Sequence, residues 1–297
     1  MSSDVTNPEA ADKGDRRPAT FLEAADKLTR MERFSIAFIR RTFSSRFLDG
    51  IMAWCQRWPG AAWVHYCTRN IRTVQGMDRI PPPASLEKFI IVSNHRSYFD
   101  LYVVTMLLFK AGLHRRVLFP VRSKFFYDHP LGVFVNGIMS WFSMYPPIFR
   151  DKKKLVLNHT AMSELIWLLQ NRNIGAGIHP EGTRNQGDDP YALLPAQSGV
   201  GRAIHSSRVT VLPVFINGLL NDLPKQVKSN FDGTGREIIV VFGKPIDFSQ
   251  MLDQPATART YKLITDRTME VIQELAAEER ALRGTSASAS PSSSAPA

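Results

Sequence analysis

Short apolar runs recur along the chain, separated by longer stretches in which apolar residues return at helical spacing. The runs are Phe89-Ile90-Ile91-Val92, Val117-Leu118-Phe119-Pro120-Val121, Ile174-Gly175-Ala176-Gly177-Ile178, Val211-Leu212-Pro213-Val214-Phe215-Ile216 and Ile238-Ile239-Val240-Val241-Phe242. Unbroken apolar runs of this length read as strands buried on both faces. Helical patterns fall between them, from about Tyr98 to Gly112, near 131–144, 154–171 and 198–206, and from about Thr257 to Arg283. Strands alternating with helices predict an α/β fold, with a mostly parallel central sheet covered by helices.

Ahead of this domain, residues 20–75 read as two or three helices, with Pro59-Gly60 as a break. They carry Phe34, Phe38, Phe43, Phe47, Trp54, Trp58 and Trp63 among many arginines. Basic helices with aromatic residues on one face suit a membrane interface, where guanidinium groups meet anionic lipid. A face packed on the chain's own domain is the alternative. Residues 1–19 and 284–297 are expected to be disordered, because neither stretch offers apolar groups to bury. The organisation read from the sequence is thus a disordered 1–19, an amphipathic helical appendage for membrane association over 20–75, the motif-bearing domain over 76–283, and a tail over 284–297.

Charge narrows the partners. The 297-residue chain has a formal net charge of +10 and a pI near 9.8, which favours anionic ligands or surfaces. No zinc-finger spacing and no RNA-recognition aromatic signature is present, so a nucleic-acid partner is not expected. Cys55 and Cys67 fit neither a disulfide framework nor a zinc site, which points to a reducing, cytosolic setting. Met1 to Ala19 lacks the apolar core of a secretory signal. The longest segment without a formal charge, His129 to Phe149, is interrupted by Pro and Gly, and its apolar core is short for a bilayer crossing that needs about 20 apolar residues. It reads as a buried helix, with a surface helix dipping into lipid as the alternative.

Chemistry concentrates after two of the strands. The first is followed by Asn94-His95-Arg96-Ser97-Tyr98-Phe99-Asp100, and the third by His179-Pro180-Glu181-Gly182-Thr183-Arg184. Polar groups at the carboxyl ends of neighbouring strands are where open α/β sheets place ligands. His95 and Asp100 are five positions apart, and on a regular helix their side chains would diverge by about 140°. A working pair therefore requires His95 in the strand-to-helix loop and Asp100 in the first turn of the helix, with Ser97 as a candidate N-cap. His65, His114, His129, His159 and His205 show no ligand spacing, and no metal or cofactor is expected.

Four blocks in order resemble the glycerolipid acyltransferase family, which includes the 1-acyl-glycerol-3-phosphate acyltransferases. They are His95 to Asp100, Tyr145-Pro146-Pro147-Ile148-Phe149-Arg150, Pro180 to Arg184, and Val211 to Ile216 with Pro213. Two positions depart from the family pattern: His179 stands where an aromatic or aliphatic residue is usual, and Gln197 where a lysine often follows the Glu-Gly-Thr-Arg block. The resemblance implies an O-acyltransferase that moves a fatty acyl group from acyl-CoA or acyl-ACP, as co-substrate, to the free hydroxyl of a lysophospholipid. The leading acceptor is 1-acyl-glycerol-3-phosphate. His95 would be the general base and Asp100 its orienting acid. Arg150, Glu181, Gly182, Thr183 and Arg184 would bind the substrate, the two arginines gripping phosphate, Gly182 permitting close backbone approach and Glu181 orienting an arginine or bonding the acceptor hydroxyl. The helix at 131–144, with Phe134, Met139, Trp141, Phe142 and Met144, is a candidate lining for the acyl chain. The implied location is the cytoplasmic face of a membrane, peripheral or monotopic. Rival readings are acylation of glycerol-3-phosphate or another lyso-lipid, a thioesterase, and a non-catalytic membrane lipid-binding protein.

Overall fold

A computed structural model describes Phe21, residues 26–127 and residues 129–289. The expected disorder of 1–19 and of 290–297 lies outside the described residues. The chain opens with α1 (Arg30–Ser44) and α2 (Arg46–Cys55), then one π-helical turn (Gln56–Gly60) and α3 (Ala61–Thr68). Thr29 and Glu32 form a capping box at the start of α1. Pro59, which has no N–H to donate, sits inside the π-helical turn, so the expected break is a widened turn between two helices.

The α/β part follows: β1 (Arg72–Gln75), β2 (Phe89–Ser93), α4 (Asp100–Lys110), β3 (Arg116–Leu118), β4 (Val121–Arg122), α5 (Ser123–Phe126), α6 (Pro130–Ser140), β5 (Pro147–Ile148), α7 (Val156–Asn171), β6 (Ile174–Ile178), α8 (Gly199–Ser207), β7 (Thr210–Asn217), α9 (Leu223–Asp232), β8 (Ile238–Phe242), α10 (Ser249–Leu252) and α11 (Ala258–Ala289). Six strands form one sheet in the order β1-β8-β7-β2-β6-β3, and β4 pairs with β5 separately. All neighbours in the large sheet are parallel except β7 and β8. The fold is therefore the expected mostly parallel α/β sheet flanked by helices.

The period of two along each strand divides the core. Ile90 and Val92 of β2, Val211 and Phe215 of β7, and Ile239 and Val241 of β8 face a core shared with α1, α7, α8 and α11. Phe89 and Ile91, Leu212 and Val214, and Ile238 and Val240 face a second core with α3 and α4. Burial on both faces explains why these strands read as unbroken apolar runs. Gly175 of β6 serves this packing, since a Cβ there would sit 2.3 Å from the Phe89 ring.

The N-terminal helices are packed on the domain rather than appended to it. Ile36, Ile39 and Phe43 of α1 enter the first core. The buried Arg116 guanidinium lies 4.0 Å from the Phe43 ring centroid and donates to Thr42 Oγ1 (3.0 Å) and Asp49 Oδ1 (3.2 Å). Lys154 and Glu32 form a second tie, at 2.6 Å.

Four expectations change. The last residues of the 20–75 segment, Arg72–Gln75, are not helical but form the edge strand β1, paired with β8. The terminal helix continues through Gly284 to Ala289, inside the expected tail, because no proline stops it before Pro291. The helix expected over 131–144 is the shorter α6, and it is not buried on its apolar side. Leu131, Phe134 and Ile138 are exposed, Phe134 by 62%, while Gly132, Asn136 and Ser140 face inward. Its inner face is held by hydrogen bonds instead, with Ser140 Oγ donating to Asn136 Oδ1 (2.6 Å). Phe134 therefore does not line an internal acyl channel.

Candidate active site

The site is built at the carboxyl ends of β2, β6 and β7. Where β2 stops, Asn94 continues its pairing with side-chain atoms. Asn94 Nδ2 donates to the Ile216 carbonyl, and the Ile216 N–H donates to Asn94 Oδ1, both at 2.9 Å. This fixes the point at which the chain leaves the sheet, one residue before His95.

His95 is then clamped from both sides. Its backbone N–H donates to Glu181 Oε1 at 2.8 Å, and its carbonyl accepts from the Asn185 N–H at 2.8 Å. Its side-chain Nδ1 lies 3.3 Å from Asp100 Oδ2. Asp100 is the first residue of α4, so the helix begins only after His95 has been placed. The same Asp100 oxygen accepts from the backbone N–H groups of Arg96 (2.8 Å) and Ser97 (2.7 Å). The loop-then-helix geometry required by the five-residue spacing is thus the one found. Ser97 is not the N-cap: Phe99 holds that position. The Ser97 hydroxyl accepts from the Phe99 N–H and donates to the Leu220 carbonyl, tying the loop to the end of β7.

Burial sets the protonation of this pair. His95 is held down to about 4, first by desolvation and then by the nearby Arg184 guanidinium. Asp100 is pushed up to about 6 by burial, against the pull of His179 and the two amides. Near neutral pH the imidazole is therefore neutral and the carboxylate ionised. A carboxylate only accepts, so Nδ1 of His95 carries the proton and Nε2 keeps its lone pair.

His179, at the end of β6, lies flat against His95, with ring centroids 3.8 Å apart and planes within 6°. Its Nδ1 is 3.0 Å from the Ser93 carbonyl and so donates there, leaving its Nε2 unprotonated as well. Burial and then the adjacent His95 hold it down to about 3. The sequence marks His179 only as a departure from a family pattern; its contact with His95 arises because β2 and β6 are neighbouring parallel strands, although paired residues such as Phe89 and Gly175 lie far apart in the chain.

The Glu-Gly-Thr-Arg block divides into separate tasks. Glu181 is buried, and both its oxygens accept backbone N–H groups, Oε1 from His95 and Oε2 from Leu194, each at 2.8 Å. It therefore positions the His95 backbone, where the sequence suggested an arginine or an acceptor hydroxyl as partner. Gly182 has φ +64° and lies beside Gln197, whose Cγ would be 3.0 Å from an added Cβ. Thr183 is exposed. Arg184 stacks its guanidinium 4.3 Å over the Tyr98 ring.

The two arginines expected to act together are placed differently. Arg150 donates to the Gly182 carbonyl at 3.0 Å. Arg184 instead lines a cavity of about 320 Å³ with Arg96, Arg236, Asn217 and Asn221, and with Asp188 as its acidic member. Arg96 and Arg236 were not singled out by sequence. Arg96 was hidden inside the histidine motif, and Arg236 stands in an unremarkable Gly-rich approach to β8. The cavity's cationic wall and the neutral His95 base together define a site suited to an anionic, hydroxyl-bearing substrate.

Comparison with known proteins assigns this arrangement to a class. The pattern of the Acyltransferase family matches residues 71–217, from just ahead of β1 to the last residue of β7. The chain belongs to this acyltransferase family, and it is an acyltransferase. It is 26% identical over 206 residues to a 1-acyl-sn-glycerol-3-phosphate acyltransferase of Haemophilus influenzae, covering 67% of this chain and 76% of that one. A second relative, 1-acyl-sn-glycerol-3-phosphate acyltransferase alpha of Mus musculus, is 24% identical over 163 residues, covering 55% of this chain and 50% of its own length. The crystal structure of the 1-acyl-sn-glycerophosphate (LPA) acyltransferase PlsC from Thermotoga maritima shares the fold, with a TM-score of 0.52 at 19% identity, covering 88% of this chain and 92% of that one.

Proposed function

We propose that this acyltransferase moves a fatty acyl group from an acyl-CoA or acyl-ACP thioester to the free hydroxyl of a lysophospholipid, with 1-acyl-glycerol-3-phosphate as acceptor. The observation that carries this reading is the His95–Asp100 pair, 3.3 Å apart, adjoining in sequence Arg96 of the arginine-lined cavity and near enough to Arg184 to feel its charge. In this mechanism Nε2 of His95 removes the acceptor hydroxyl proton as the oxygen attacks the thioester carbonyl. The new C–O bond forms, the C–S bond breaks, and the imidazolium returns its proton to the leaving thiolate. Asp100 fixes the tautomer and stabilises the imidazolium. The acceptor's hydroxyl is the nucleophile, so transfer proceeds without an acyl-enzyme. Arg184, with Arg96 and Arg236, holds the acceptor phosphate. Arg150 acts indirectly, by bracing the Gly182 turn.

The substrate side of the molecule is proposed to sit on the cytoplasmic face of a membrane. Phe34 and Phe38 of α1 and Leu131, Phe134 and Ile138 of α6 are exposed. Phe38 of α1 meets Phe142, just past the end of α6, at 5.2 Å, which brings the exposed rings of the two regions close together. Exposed Arg30, Arg33, Arg41 and Arg46 provide charge for anionic headgroups. Among the described residues no helix is long and apolar enough to cross a membrane. That apolar face supports a peripheral or monotopic attachment.

The test is thiol release from a long-chain acyl-CoA in liposomes with and without 1-acyl-glycerol-3-phosphate, comparing wild type with His95→Ala. Acceptor-dependent release lost in the variant is expected. Release that does not need the acceptor would identify a thioesterase, and a stoichiometric burst without acceptor would establish an acyl-enzyme. A parallel panel with glycerol-3-phosphate and other lyso-lipids fixes the headgroup, where Gln197 in place of a lysine makes the outcome informative.

A further inference from the structure

The stacked histidines have a property that the acyl-transfer mechanism does not use. His95, Asp100 and His179 each offer one ligand atom within 4.8 Å of the other two. Asp100 is 1% exposed, and its Oδ1 has no hydrogen-bond partner among the described residues, although Oδ2 accepts three. A buried carboxylate oxygen without a hydrogen-bond partner is costly, and a cation bound beside it would offset that cost. The surroundings already have the form of a metal site's outer layer. His179 donates Nδ1–H to the Ser93 carbonyl, which orients a ligating imidazole and fixes Nε2 as its donor. Asp100 is held by the Arg96 and Ser97 amides, as ligating carboxylates are.

We propose that His95, His179 and Asp100 form an inhibitory binding site for a divalent transition-metal ion of the zinc class. Two imidazoles and one carboxylate suit Zn²⁺ rather than Mg²⁺ or Ca²⁺, which take all-oxygen shells. Three protein ligands leave a fourth position for water. Zn–N and Zn–O bonds of about 2.0–2.2 Å place tetrahedral ligand atoms roughly 3.4 Å apart, so binding requires the two imidazoles to tilt out of their parallel stack and converge on the ion. Coordination through either ring nitrogen of His95 removes the base. At Nε2 the ion takes the lone pair that accepts the hydroxyl proton; at Nδ1 it displaces the proton that bonds Asp100. His179 supplies the ligand that a phenylalanine or valine at this position would lack. The binding rests on geometry alone, whereas its effect on turnover rests on the acyltransferase mechanism proposed above, so the two are measured separately.

The experiment titrates the full chain in detergent micelles with ZnCl₂ at neutral pH by isothermal calorimetry, for wild type and His179→Phe. The expected result is one Zn²⁺ per chain in the wild type and at least tenfold weaker binding in the variant, with no response to Mg²⁺ in either. Thermal melting of both proteins without metal establishes that His179→Phe is folded, and His179→Asn provides a second variant of smaller volume. Co²⁺ in place of Zn²⁺ should give the visible absorption of a low-symmetry nitrogen and oxygen site in the wild type only. In the acyl-transfer assay Zn²⁺ should inhibit wild type at the concentration at which it binds, with recovery on adding a chelator. Equal Zn²⁺ affinity in wild type and both variants, or no binding by wild type at millimolar Zn²⁺, would overturn the proposal.

Discussion

At the carboxyl rim of the sheet, polar side chains are buried and held by named partners; on the outer side of α6, apolar side chains are exposed and the polar ones face inward, and α1 adds exposed Phe34 and Phe38 beside it. Asp100 and Glu181 are 1% and 2% exposed, and each accepts backbone N–H groups. Phe34 of α1 and Phe134 of α6 are both 62% exposed, while Asn136 of α6 is fully buried. Each region inverts the ordinary rule of what lies inside, for opposite reasons. Burying a carboxylate raises its proton affinity and fixes its direction, which chemistry at His95 requires. Exposing aromatic rings costs free energy in water but not in the interfacial layer of a bilayer. On the function proposed above, the rim serves catalysis and the outer face serves membrane attachment.

The comparison is broken most severely by removing the base. His95→Ala should lower turnover about 10²–10⁴-fold with little change in affinity for the acceptor, and Asp100→Asn should approach it, both read by acceptor-dependent thiol release. An equal loss in acceptor affinity would instead make His95 a binding residue. The outer face is tested by Phe134→Ser with Ile138→Ser. Removing two exposed apolar side chains should weaken binding to anionic vesicles by about tenfold or more while leaving the melting temperature in solution unchanged. A loss of solution stability would show that these residues pack against protein.

Acidity separates the two regions further. Burial pushes Asp100 up to about 6, and its protonated form loses the negative charge that stabilises the His95 imidazolium. Turnover should therefore hold at neutral pH and fall as pH drops through about 6, while vesicle binding through the arginines persists. Glu181→Gln supplies the smallest of the effects. One of the two backbone N–H donors would face an amide donor in a buried place, at a cost of about 1–3 kcal/mol in denaturant unfolding. The displaced His95 backbone should also lower turnover, though less than His95→Ala.

Some of this was legible without the structure. The alternation of apolar runs and helical stretches gave the parallel sheet, since strands buried on both faces leave no polar residues to obscure them. The five-residue spacing from His95 to Asp100 demanded a loop followed by a helix start, and that is where they lie. Other features were not legible. β1 has only four residues, Arg72-Thr73-Val74-Gln75, on the sheet's edge with half of them exposed, so its signal is weak. The length and apolar content of α6 were visible, but not which face turns inward, because hydropathy cannot distinguish a core from a lipid surface. The placement of Arg184 with Arg96 and Arg236, rather than with Arg150, depends on which loops share a strand end.

The sequence by itself therefore determined the fold class, the His95–Asp100 pair and the presence of an arginine-bearing turn after the next parallel strand. These are set by local periodicity and by spacings of a few residues, which the backbone cannot evade. Only the tertiary structure decided that His179 stacks on His95, that Glu181 positions the base rather than the substrate, and that the apolar side of α6 faces outward. Each of those depends on the lateral order of strands, in which β6 lies beside β2 although 80 residues separate their ends, and no local pattern encodes that adjacency.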